Sequence, residues 1–244
     1  MVQCRLAYRH TSSPPAEVLA SDRRTGIIFP ELTPATARQF IRGLKPVILE
    51  IGANDDEDSL KFIRAFPQGQ IHCFECDQRA ILQWKRRIRG FSNAHLYEAA
   101  LGDITGQAAF HPSGGNPGGS SIPWDKSGSL LEVDRHCEFQ PWLTFLPPIT
   151  VPVTTLDDWA RSRDIVEIDF AWIDVQGAEA KVLRGAKETI RRVRHCYCEI
   201  NQQPLYKGQP TLKEVHDLLP GFTLERQCAG DNFLFRNQAM ATLR

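Results

Sequence analysis

Two short stretches hold residue types from which a ligand site could be built. Glu50-Ile51-Gly52-Ala53-Asn54-Asp55-Asp56 follows the apolar run Val47–Leu49, and Asp174-Val175-Gln176-Gly177-Ala178-Glu179 follows Ile168–Ile173. In both, a run suited to a strand buried on two faces reaches a carboxylate and turns through a glycine into a helical pattern. Such a glycine lets the chain turn tightly and a ligand approach closely, while the N–H groups of the next helix start point outward. A third carboxylate, Glu75, closes the run Gln70–Phe74 and stands 23 residues beyond Gly52. A nucleotide-binding βαβ unit places a carboxylate at about that distance to accept hydrogen bonds from ribose hydroxyls.

Charge separates the ligands such turns could hold. A dinucleotide site sets a pyrophosphate on the first helix and uses a G-x-G-x-x-G turn. Here Gly52 stands alone and is followed by Asp55, Asp56, Glu57 and Asp58, which would repel a pyrophosphate. An acidic turn attracts a cation instead, and S-adenosylmethionine carries a sulfonium and an ammonium. A purely structural reading also exists for Asp56 to Asp58, because the helix macrodipole favours acids in the first turn by about 0.3–1 kcal/mol each. It does not account for Glu50 at the end of an apolar strand.

The elements that must position these residues follow an alternating pattern. Thr33 and Pro34 suit the start of a helix carrying Ala37, Phe40, Ile41 and Leu44, which leads into the strand at Val47–Ile51. Leu60, Phe62, Ile63 and Phe66 mark an amphipathic helix closed by Pro67 and Gly69, and a helix over residues 79–89 carries Ile81, Leu82, Trp84 and Ile88. Residues 94–98 read as a third strand, and Ala99 to Asp103 as a strand end and turn. A further short strand is expected over 105–111. Thr154 or Thr155 caps a helix ending near Arg163. After Ile168–Val175 come a helix with Val182, Leu183, Ala186 and Ile190, a strand over 194–200 with Glu199 near its end, a helix over 211–219 and a hairpin at 222–236. The alternation predicts an α/β, Rossmann-like, doubly wound sheet of seven strands. In it, both glycine turns open at one carboxyl edge, beside the point where strand order reverses. Residues 1–45 read as an extension and capping helix, and 46–238 as the domain. Within it, 112–148 is irregular, with Gly114-Gly115-Asn116-Pro117-Gly118-Gly119 and two tryptophans, Trp124 and Trp142, and predicts a lid that packs.

Composition bounds the function classes. The chain has 244 residues, 42% hydrophobic, and 29 basic residues balance 29 acidic ones, so no global field recruits nucleic acid or an acidic membrane. Basic runs at 85–89 and 191–194 fall at expected helix ends. Seven cysteines, an odd number, and the lack of a long apolar window read as a soluble cytoplasmic protein. Cys73 and Cys76, three apart in a strand, point to opposite faces and share no metal, so no metal site is expected.

Leu49-Glu50-Ile51-Gly52-Ala53-Asn54, Phe74-Glu75, Ala100-Leu101-Gly102-Asp103, Gly119-Ser120-Ser121, Val153-Thr154-Thr155-Leu156-Asp157 and Ile173-Asp174-Val175-Gln176-Gly177-Ala178-Glu179, in this order, closely resemble the FkbM family of S-adenosylmethionine-dependent methyltransferases. The resemblance runs from about Pro46 to Arg236. It implies a class I methyltransferase fold with an antiparallel last strand, and O-methylation of a hydroxyl on a sugar or natural product. It also implies site roles: Glu50, Gly52, Ala53 and Asn54 at the methionine end, Glu75 and Cys76 at the ribose, and Leu101, Gly102 and Asp103 beside the adenine. By position at the strand ends, Asp174 is a candidate catalytic base or holds the methionine ammonium, Glu199 is a second candidate base or only orients substrate, and Gln176, Glu179, Ser120 and Ser121 are assigned to the acceptor. The chain departs from the family pattern at Asp56, usually glycine, at Cys76, usually proline, and at Gln176, usually glutamate. The other readings are a non-catalytic cofactor-binding or interaction protein of the same fold, a nicotinamide dehydrogenase, disfavoured by the missing glycines, and an RNA methyltransferase, disfavoured by the neutral charge. Expected partners are a small-molecule acceptor and no nucleic acid or membrane, with a homo-oligomer left open.

Overall fold

A computed structural model describes residues 28–55, 57–120 and 123–240. Asp56, Ser121 and most of the N-terminal extension lie outside the described residues. The elements in chain order are α1 (Pro34–Ala37), β1 (Val47–Ile51), α2 (Glu57–Ala65), β2 (Gln70–Phe74), α3 (Gln78–Arg87), β3 (Ala94–Tyr97), β4 (Ala100–Leu101), β5 (Gly106–Phe110) and β6 (Ser113–Gly115). They continue as α4 (His136–Phe139), β7 (Leu143–Phe145), β8 (Ile149–Thr154), α5 (Leu156–Arg161), β9 (Ile168–Ile173), α6 (Glu179–Arg184), β10 (Val193–Glu199), α7 (Leu212–Asp217), β11 (Phe222–Cys228) and β12 (Asn232–Asn237).

The central sheet has seven strands in the order β3-β2-β1-β9-β10-β12-β11. β1 pairs in parallel with β2 and β9, β9 with β10, and β12 runs antiparallel to both its neighbours. Strand order reverses between β1 and β9, so the turns after these two strands open side by side. Ile48, Leu49 and Ile51 of β1 are fully buried because helices cover both faces. One face packs Leu49, Phe74 and Ile173 against Leu156, Trp159, Leu183 and Val215. The other packs Ile48, Ile71 and Phe170 against Phe40, Phe62, Ile63 and Trp84. Each such side chain contributes about 1.5–3 kcal/mol by leaving water.

Local chemistry fixes the ends of the elements. Thr33 and Thr36 form a capping box on α1, Asp77 caps α3, Thr155 caps α5, and Thr211 with Glu214 boxes α7. The expected helix over Thr33–Leu44 is a single turn: Phe40 and Ile41 are buried beyond it, but Leu44 is exposed. Leu82, expected in the core, is also exposed. The edge strand β11 is extended by Phe29, whose N–H donates to the Gln227 carbonyl and whose carbonyl accepts from Ala229.

Two small sheets were not expected as such. β8 lies between β4 and β5, parallel to the first and antiparallel to the second, and β6 pairs with β7. The β6–β7 pairing ties together the two ends of the 112–148 segment. Inside it, Trp124 and Trp142 meet edge to face at 5.2 Å, and Trp124 Nε1 donates to Ser127 Oγ. No helix among the described residues is long and apolar enough to cross a membrane.

Candidate active site

A cleft of about 980 Å³, counted with the solvent at its mouth, opens where β1, β2 and β9 end. Its floor is the turn from Glu50 to Asp55, its sides are Phe74 to Asp77 and Trp172 to Gln176, and Asp125 to Leu130 of the 112–148 segment roof it. Ala100, Leu101, Phe110 and Leu130 supply an apolar end.

The first turn is shaped by close strand packing. Gly52 has φ +89°, and a Cβ there would stand 1.9 Å from the Asp174 carbonyl oxygen, so no other residue fits. Asn54 follows at φ 42°, a region asparagine tolerates. Gly52 and Ala53 both donate to the Phe74 carbonyl. The Asn54 N–H donates to Glu75 Oε2 at 2.8 Å, while Cys76 and Asp77 N–H groups donate to Oε1 at 2.7 Å each. Glu75 is thus a buried carboxylate ringed by backbone amides. Burial raises its pKa to about 7, although the three amides pull the other way. Asp77 beside it caps α3 and is bridged by Arg79.

The second turn, Gln176 at φ 52° and Gly177 at φ 90°, gathers three polar side chains. Gln176 Nε2 donates to Asp174 Oδ1 at 2.7 Å and to Glu199 Oε2 at 3.0 Å. Burial first, and then the adjacent Asp174 carboxylate, push Glu199 well above the ordinary carboxylate range. Glu199 therefore holds a proton more tightly than an ordinary carboxylate does. The Tyr206 hydroxyl lies 3.2 Å from Gln176 Oε1, 3.0 Å from His136 Nδ1 and 2.8 Å from the Ser127 carbonyl oxygen, to which it donates. Lys126 Nζ pairs with Asp55 Oδ2 at 2.7 Å, and Asn54 Nδ2 donates to the Asp125 carbonyl. The roof is therefore fastened to the first turn directly and to the second through Tyr206.

Residues 50–229 match the methyltransferase FkbM domain. The chain belongs to the FkbM methyltransferase family. It is 39% identical over 205 residues to the 2-O-methyltransferase NoeI of Sinorhizobium fredii, covering 83% of this chain and 84% of that one. It is 26% identical over 144 residues to Methyltransferase 1 of Beauveria bassiana, 57% of either chain. Of solved structures, methyltransferase FkbM from Methylobacillus flagellatus shares the fold at TM-score 0.51 and 14% identity, across 85% of this chain and 48% of that one. The α/β class I methyltransferase fold with an antiparallel last strand is thus what the sheet order displays.

Within this FkbM-family fold the residues singled out from sequence fall into distinct environments. Gly52, Ala53, Asn54, Glu75, Cys76, Leu101, Asp174 and Gln176 line the cleft. Glu50 borders it, yet its Oε2 also accepts from Ser59 Oγ and Cys73 Sγ in the core, with Trp84 Nε1 donating to Ser59. Glu199 lies behind Gln176, and Ser120 does not border the cleft. Gly102 and Asp103 turn away: the Gly102 carbonyl packs on Gly185, where a Cβ would come within 1.9 Å, and Asp103 pairs with Lys181. Glu179 is folded beneath its own turn. Its Oε1 accepts from Gly177 and Val175 N–H groups, and burial raises its pKa to about 8.

Sequence reasoning missed Asp77, Asp125, Lys126, Tyr206 and His136. Asp77 carries a readable signal, since an acid just before an apolar-periodic run suits an N-cap. The others come from irregular segments, where only the folded chain shows what they touch.

Proposed function

We propose that this methyltransferase moves the methyl group of S-adenosyl-L-methionine to a hydroxyl oxygen of a small sugar-like or natural-product acceptor. The observation that carries this reading is the Glu75 carboxylate, buried at the cleft wall yet already organised by three backbone amides. The residues present fit the cofactor. Carboxylates of Glu50, Asp55, Asp58, Glu75, Asp125 and Asp174 border the cleft, with Lys126 the one lysine or arginine lining it among the described residues. That lysine is paired with Asp55. Such a lining favours a sulfonium and an ammonium and opposes a pyrophosphate. Glu75 would hold the ribose, Leu101, Phe110 and Leu130 would pack on the adenine, and the Glu50–Asn54 turn would take the methionine end.

The cofactor supplies an electrophilic methyl, and aligning an acceptor oxygen with it can contribute about 7–11 kcal/mol. The chain's own residues add proton management. Asp174, held by the Gln176 amide, is positioned to take the hydroxyl proton, a step worth about 100- to 10,000-fold. Glu199, which holds its proton more tightly than an ordinary carboxylate, is the weaker base of the two and supports Asp174 through Gln176. Oxygen as the acceptor atom is supported by the relative NoeI, a 2-O-methyltransferase. The 112–148 roof is read as a substrate lid, because it is bonded to the first turn and linked to the second through Tyr206.

Calorimetric titration with S-adenosylhomocysteine tests the cofactor assignment. Saturable binding that is lost in Glu75→Ala is expected, and undiminished binding in that variant would sink it. Mass spectrometry of a host extract incubated with methyl-labelled cofactor then identifies the acceptor. Label recovered on nitrogen or carbon, with none on oxygen, rejects the O-methyl reading.

A further inference from the structure

A second pocket, about 570 Å³ with its solvent mouth, lies toward the opposite end of the sheet and is bordered by Arg42, Arg194, His195, Glu225, Arg226 and Arg236. His195 and Arg236 are register partners on β10 and β12, so their side chains share one face of the sheet. His195 and Glu199 are four residues apart on β10, so the pocket is about 13 Å from the acid pair along the strand.

Three features show unmet polar demand. Among the described residues, Arg42, Arg226 and Arg236 have no carboxylate within ion-pair distance, although the chain as a whole is neutral. Arg226 is held rigidly instead, with its guanidinium carbon 4.7 Å from the ring centres of both Phe29 and Phe40. His195 is more than nine-tenths buried, and its Nδ1 has no hydrogen-bond partner; Glu225 Oε2 and Arg194 Nε have none either, their nearest charged partners being His195 Nε2 at 3.7 Å and Asp169 Oδ1 at 3.8 Å, and Arg194 also pairs with Glu167. Buried polar atoms without partners are costly to leave unsatisfied. The group that would satisfy all of them offers several anionic oxygens to the guanidinium and imidazole donors and one O–H to Glu225. Sulfate lacks that proton at neutral pH, a carboxylate has too few oxygens, and a phosphate carries both.

We infer that this pocket binds a small phosphate-bearing anion, either inorganic phosphate or a phosphate monoester. Arg42 and Arg236 contact its oxygens, Arg226 supplies a fixed positive wall, His195 donates from Nδ1, and Glu225 accepts the phosphate proton or a neighbouring hydroxyl. The local field agrees: after burial itself, Arg236, Arg194 and Arg42 are what lower the His195 pKa to about 4. The imidazole is therefore neutral, with one N–H to give, and the arginines bring the charge.

The full chain is titrated calorimetrically near neutral pH and at constant ionic strength with inorganic phosphate, sn-glycerol 3-phosphate and sulfate. Saturable binding of phosphate or the monoester is expected, and the tighter of the two names the source. Arg236→Gln should weaken it by about tenfold or more, the loss of one charge-assisted hydrogen bond. Arg42→Gln, at the exposed rim, gives a smaller loss and guards against a variant that fails to fold. In the wild type, the His195 imidazole resonances should shift on addition of phosphate. Absence of saturable phosphate binding, equal binding by the Arg42→Gln/Arg236→Gln double variant, or sulfate binding as tight as phosphate overturns the inference.

Discussion

The two glycine turns repeat one sequence pattern, a buried strand, a carboxylate, a glycine and then more acid, yet they handle their charges in opposite ways. After β1 the strand-end acid, Glu50, reaches back toward Ser59 and Cys73, while Asp55 and Glu57 face outward to Lys126 and Lys61. After β9 the strand-end acid, Asp174, stays at the cleft, and the acid of the following helix, Glu179, is buried under the turn. The first turn lays backbone and exposed charge along the cleft floor, whereas the second gathers buried, hydrogen-bonded acids. Position along the motif therefore does not fix the role of an acid; what covers it does.

The comparison can be broken first at the glycines. Gly52→Ala drives a Cβ into the Asp174 carbonyl at positive φ, so about 4 kcal/mol or more of stability should be lost, read by urea unfolding. Gly177→Ala carries a similar backbone strain and meets the buried Tyr206 ring at 2.9 Å, a side chain where Gly52 meets backbone, and should cost less, about 2–3 kcal/mol. Equal losses would mean that the two turns are packed alike. The acid pair comes next. Asp174→Asn should lower the methyl-transfer rate by about 100- to 10,000-fold, whereas Glu199→Gln, which imitates a protonated carboxyl, should stay within about tenfold of wild type. Initial rates on the identified acceptor decide it, and the reverse order would make Glu199 the base.

A pH effect separates the buried acid from the exposed ones. The folded pKa of Glu179, about 8, lies above its ordinary value of 4.5, so the folded state binds the proton more tightly. Its contribution is most favourable below pH 4.5 and declines as pH rises toward about 8. Glu179→Gln keeps an acceptor for Gly177 and removes the charge. Its stability relative to wild type should therefore improve on the order of 3 kcal/mol between those limits, seen by unfolding at several pH values. The smallest effect is expected at the roof. Lys126→Met breaks a half-exposed ion pair and should change stability by less than about 1 kcal/mol, but proteolysis within 112–148 should become faster. Bound S-adenosylhomocysteine should slow that cleavage if the segment acts as a lid.

The central sheet was legible because β1, β2, β9 and β10 are apolar runs punctuated by glycines and caps, and the matched acids after β1 and β9 gave away the edge where they meet. The small sheets were not, since β4 has two residues and β6 three, too few to show a period. The helix read through Leu44 failed because the chain leaves the helix after Ala37, and Phe40 beyond it is buried against His195 of β10 and Arg226 of β11. Gly102 and Asp103 looked like cofactor residues by motif order, but Gly102 serves close packing on Gly185. Tyr206 and the arginine pocket stayed hidden because their partners are 30 or more residues apart, a distance over which no local pattern operates.

Tyr206 has a consequence for how this enzyme can change. One hydroxyl is shared among the roof through Ser127, α4 through His136 and the acid pair through Gln176. A substitution that reshapes the roof to admit a different acceptor also moves the group that orients Gln176, and with it the proton balance between Asp174 and Glu199. Under the proposed function, selectivity and turnover would depend on the same three contacts. Variants selected for a new acceptor should carry compensating changes at Tyr206, His136 or Gln176 before they recover speed.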